Sequence, residues 1–153
     1  MSILPPLAPP VPRPVRAAVV VWLAAVGAGV AETLVHLASS ASPGPGALVV
    51  RAAIYAAVVA LVLSLRTGRD LVRWSLALLL GVVGTLSLVV EPATWLAAGG
   101  SPVEYLADAG AADLAIVALR LGHLACVAVA LVLMFRPAAN AFFRPRETAP
   151  SAR

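Results

Sequence analysis

Glu32, His36, Arg51, Glu91, Asp113, Arg120 and His123 interrupt otherwise apolar runs, where charge is costly. Carboxylates, guanidiniums and imidazoles are the groups that pair with one another, hold polar ligands or exchange protons. Their positions along the chain coincide in depth. Glu32 lies sixteen residues beyond Arg16, and Arg120 sixteen before Arg136. Arg51 is fifteen before Arg66, and Glu91 eighteen beyond Arg73. On helices, with a rise of about 1.5 Å per residue, these separations all amount to about 22–27 Å. Two acids and two bases therefore fall in one layer. His36 follows Glu32 by one turn on the same face, His123 follows Arg120 by nearly one turn, and Asp113 returns to nearly the face of Arg120.

Such a layer supports several chemistries. Ion pairing alone offsets most of the penalty of isolated burial: Glu91 is expected to pair with Arg51 in one hairpin, and Glu32 with Arg120. A pocket open to the outside is the sharper reading, with arginines clamping a carboxylate, a phosphate head group or a partner's side chain and the histidines adding pH dependence. Glu32, His36 and His123 have the ligand types of a metal site, but no metal or other cofactor is expected. Transport using Glu32 competes as a class. It is disfavoured because the layer is off-centre and the inner half carries only hydroxyls such as Ser64, Ser75 and Thr85. Catalysis is not expected, since no nucleophile stands beside a plausible base.

The elements that must position these residues follow from composition. Of the 153 residues 61% are hydrophobic and only 12% charged, which points away from a soluble domain and to a lipid bilayer. The net charge of +4 rests on arginine, with no lysine in the chain. The arginines flank apolar runs instead of forming a stripe, which argues for topology determinants and against nucleic-acid binding. Cys126 is the only cysteine, excluding an intrachain disulfide, a paired-cysteine redox centre and a cysteine zinc site.

Residues 1–16 are rich in proline and read as a solvated cytoplasmic tail, although Pro9-Pro10-Val11-Pro12 formally fits a groove-binding pattern. Four spans are predicted at about 17–38, 47–65, 74–91 and 113–135. A cleaved signal peptide competes for the first, but Glu32 and His36 interrupt it. Residues 39–46 form a short turn, and Pro92 is expected to close the third span. In the 92–112 outer loop, Ser101-Pro102-Val103-Glu104 has the form of a capping box. It predicts a short interfacial helix stopped by Gly110, with Tyr105, Leu106 and Trp95 as anchors. Residues 137–153 form a basic cytoplasmic tail beginning with an interfacial segment around Phe142, Phe143, Arg144 and Arg146.

Arginines concentrate at both termini and in the 66–73 loop, so the expected fold is an all-α four-transmembrane-helix bundle with both termini cytoplasmic in the plasma membrane. Small residues mark inward faces: Ala25, Ala28 and Gly29 leading into Glu32 and His36, and Ala77, Gly81, Gly84 and Leu88 leading into Glu91. Gly122 lies nearly opposite Arg120, which leaves a side opening or subunit contact as a further use of that arginine.

The stretch Arg66-Thr67-Gly68-Arg69-Asp70-Leu71-Val72-Arg73-Trp74, followed by Leu80-Gly81-Val82-Val83-Gly84-Thr85-Leu86-Ser87-Leu88, resembles uncharacterised small four-span integral membrane proteins of high-GC actinobacteria. The resemblance implies a multi-pass membrane protein and assigns no functional residue. Together these readings favour an interaction or accessory role, with a membrane-protein partner or a second copy as companion. The alternative is a small transporter or pH-responsive sensor built on Glu32 and the histidines.

Overall fold

The computed structural model describes residues 10–38 and 44–144. The proline-rich residues 1–9, most of the first turn and the end of the C-terminal tail, including Arg146, lie outside them. The described residues are all-α: α1 (Arg13–Ala38), α2 (Pro45–Ser64) with a 3-10 turn (Leu65–Thr67), α3 (Asp70–Ala97), α4 (Pro102–Asp108), α5 (Ala111–Met134) and α6 (Pro137–Phe143). Helices α1, α2, α3 and α5 are each long and apolar enough to cross a membrane. The protein is a multi-pass membrane protein built as a four-helix bundle, and its two described ends emerge on one side.

Helix boundaries follow local chemistry. Helix α1 begins at Arg13, earlier than the apolar run suggests, because Pro14 has the φ of a first turn and needs no hydrogen-bond acceptor. Gly68 (φ +71°) makes the left-handed break between the 3-10 turn and α3. Pro92 does not end the third span: α3 runs through it to Ala97. The cost of proline within a helix falls here on a single turn close to the helix end. The middle of α3, Ala77–Gly84, is a π-helical segment. Ser101 Oγ accepts the Glu104 N–H (3.3 Å) and starts α4. Gly110 is not a stop for that helix, which ends at Asp108; it precedes α5, where its N–H donates to Asp113 Oδ2 (3.0 Å).

The apolar core sits toward the arginine end. Val15, Ala18, Val19, Trp22 and Ala25 of α1 meet Val62, Leu65, Leu76, Val127, Ala130 and Met134. Trp22 is fully buried, and its indole N–H donates to Met134 Sδ at 3.1 Å. Helices α1 and α5 form the most extensive contact in the bundle. Helix α2 lies on α1, and α2 and α3 approach each other most closely near the arginine loop, whereas the remainder of α3 leans on α5. Gly81 permits that approach, since a Cβ there would stand 3.2 Å from the Leu131 side chain. Gly84, expected on the same face, meets no neighbouring helix, because the π turn changes the register between them.

Candidate functional site

Helix α1 is the spine of the charged layer at the end of the bundle far from the arginine loop. One face turns Glu32 to α5, where Arg120 Nε donates to its Oε1 at 2.9 Å. The Glu32 side chain is 15% exposed and that of Arg120 30%, so this pair is partly withdrawn from the surroundings. His36 Nε2 stands 3.7 Å from the same Glu32 oxygen, near enough to interact electrostatically when protonated. On the other side of Arg120, Nη1 is 3.6 Å from Glu91 Oε2. The Glu91 side chain is 79% exposed, so Arg120 joins one sheltered carboxylate to one open one.

Arg51 does not pair with Glu91. It projects instead toward α1, where Nη1 donates to Thr33 Oγ1 at 3.2 Å. The reason is the divergent packing: α2 rests on α1 and the far part of α3 on α5, so the two charges leave their hairpin in different directions. Beneath Arg51, the Thr33 and Tyr55 hydroxyls lie 3.0 Å apart. Both also reach the Gly29 carbonyl, at 3.0 Å and 2.8 Å respectively. Two hydroxyl hydrogens are available, so two of these three short contacts are hydrogen bonds at a time, and Thr33 Oγ1 keeps a lone pair for the guanidinium. A Cβ on Gly29 would sit 3.3 Å from the Tyr55 hydroxyl, so glycine is what lets the ring come this close.

His123 Nδ1 lies 2.9 Å from the Ala25 carbonyl oxygen, joining α5 to α1 one level deeper. A carbonyl only accepts, so Nδ1 carries the hydrogen. Asp113 stays outside the layer, being held at the start of α5 by the Gly110 N–H. It lines an open recess of about 450 Å³ with Trp95, Glu104, Tyr105 and Asp108, in which the Trp95 and Tyr105 rings meet edge to face at 5.9 Å. Among the described residues no group of three or more His, Cys, Asp or Glu side chains is arranged to hold a metal ion.

A second polar centre, at the arginine end, escaped the sequence reading. Arg73 is 9% exposed, with Nη2 2.6 Å from Asp70 Oδ1 and Nη1 donating to Asn140 Oδ1 at 2.6 Å. Its guanidinium carbon lies 4.9 Å from the Phe135 ring centre, 5.1 Å from Phe143 and 5.7 Å from Trp74. Asn140 Nδ2 donates to the Phe135 carbonyl (3.0 Å), so α6 folds back beneath the bundle with Ala139 and Phe143 buried. The signal available in the sequence was Asn140 and Phe143 one turn apart just after Pro137, a short helix with an inward face.

Comparison of the chain with protein-family models, curated sequences and solved structures finds no match.

Proposed function

We propose that the protein is an accessory membrane protein that engages a partner or polar ligand through the open side of its charged layer. In this reading the arginine end faces the cytoplasm and the layer lies in the outer leaflet of the plasma membrane. The supporting observation is that the layer does not close on itself. Glu91 is largely exposed, and Arg51 is exposed and donates to the Thr33 hydroxyl. Charges inside a span are expensive unless something polar meets them. Glu32–Arg120 meets that requirement internally, while Glu91, 3.6 Å from Arg120, and Arg51, on the Thr33 hydroxyl, keep much of their surface open to what lies beside the bundle. In this reading the role is non-catalytic, which fits the engagement of the Thr33 and Tyr55 hydroxyls with the Gly29 carbonyl.

Mild detergent extraction followed by native mass spectrometry tests this. The intact chain should retain a companion subunit or polar ligand that Arg51→Gln and Glu91→Gln release without lowering the melting temperature. If both variants change thermal stability alone, the layer is structural.

One contact favours a second reading. His36 beside Glu32 gives the layer a protonatable neighbour for its sheltered carboxylate, as a small proton-coupled transporter or pH-responsive sensor would need. Glu32→Gln in proteoliposomes separates the two: loss of substrate-dependent proton movement selects transport, and loss of co-purified partner selects the accessory role.

A further inference from the structure

The arginine end carries a surface that the charged layer does not use. Arg13 and Arg16 occupy the start of α1, Arg66 the 3-10 turn, Arg69 the start of α3, Arg136 the α5–α6 junction and Arg144 the end of α6, and all are exposed. The elements that bear them are in contact. The 3-10 turn and α6 both pack on α1, and the Phe142 ring lies against Gly68, between Arg66 and Arg69. The carboxylate in their midst, Asp70, is taken by buried Arg73. Among the described residues none of the exposed arginines has a carboxylate within 4.0 Å. The result is a collar of uncompensated guanidiniums around the mouth of the bundle.

We infer that this collar binds the phosphodiester head groups of anionic phospholipids in the leaflet it faces. The collar sits where four apolar spans leave the hydrocarbon, which is the level of the lipid phosphates. A planar guanidinium presents paired donors matching two phosphate oxygens, and the interface screens such contacts less than bulk water does. Because Arg136 and Arg144 flank α6, lipid held there also bridges α6 to the 66–69 loop. This surface is at the opposite end from the charged layer, so it stands or falls independently of the role proposed above.

The test uses the full chain reconstituted in vesicles of phosphatidylglycerol and phosphatidylcholine, extracted in mild detergent and examined by native mass spectrometry. Discrete phosphatidylglycerol adducts should survive, phosphatidylcholine should not, and adduct retention should fall as salt is raised. Arg66→Gln with Arg69→Gln, or Arg136→Gln with Arg144→Gln, should weaken retention on the order of tenfold or more. The corresponding lysine pairs keep the positive charge that orients the chain and should retain part of the binding. Equal retention of the two lipids, or adducts that persist in both glutamine pairs, overturns the inference. So does retention of an acidic protein or nucleic acid in place of lipid. Should the glutamine variants fail to insert, salt-insensitive adducts on the unaltered chain overturn it equally.

Discussion

The two ends of the bundle handle buried polarity in opposite ways. At the arginine end a single cation, Arg73, is enclosed by one carboxylate, one amide and three aromatic rings. At the far end polar groups are more numerous, more exposed and shared: Arg120 between two carboxylates, the Gly29 carbonyl between two hydroxyls. A cation sealed into a packed core must have its partners in place, whereas one near the edge of the hydrocarbon is able to reach water, head groups or another molecule. The sealed arginine is therefore tied to stability, whereas the open end leaves its charged groups within reach of the surroundings.

Arg73→Ala should disturb this division most, because it leaves the packed ring cluster and Asp70 without their cation. A loss of about 3–5 kcal/mol is expected, read as reduced stability in a denaturing-detergent titration. Asn140→Ala should cost about half as much, since it removes one hydrogen bond to a charged group and one to the Phe135 carbonyl. At the open end, Arg120→Gln should cost about 1–3 kcal/mol, and adding Glu32→Gln should recover part of it. A strictly additive cycle would mean that the two side chains do not sense each other. Gly68→Ala forces a β-carbon into a left-handed position beside Phe142 and should cost about 1–2 kcal/mol. It should also speed proteolysis of α6. Gly29→Ala should cost about 1 kcal/mol through the displaced Tyr55 bond, and Tyr55→Phe a similar amount. Gly122→Ala has open space around it and should stay within about 0.5 kcal/mol. If the open-end substitutions prove as damaging as Arg73→Ala, the contrast between the two ends is lost.

Much of this architecture is legible in the chain, because the bilayer imposes length and polarity on every span. Four apolar runs separated by arginines leave few alternatives. Glu32 with Arg120 follows from equal depth once the first and last spans adjoin. Arg51 with Glu91 fails because depth sets only one coordinate. Their azimuths depend on how α2 and α3 diverge and on the π-helical segment of α3, neither of which has a spacing signature. Arg73 was hidden by its own neighbourhood: beside Arg66 and Arg69 it reads as one more topology residue. Its distinguishing partner, Asn140, lies in a segment that reads as tail. Asp113 shares a helical face with Arg120, yet the unpaired amide of Gly110 at the start of α5 claims it first.

The contact between His123 and Ala25 ties the last span to the first through a main-chain atom. The oxygen at Ala25 belongs to the backbone, so it stays in place whatever side chain stands at that position. This fastening therefore depends on the imidazole alone, and only a change at His123 can undo it.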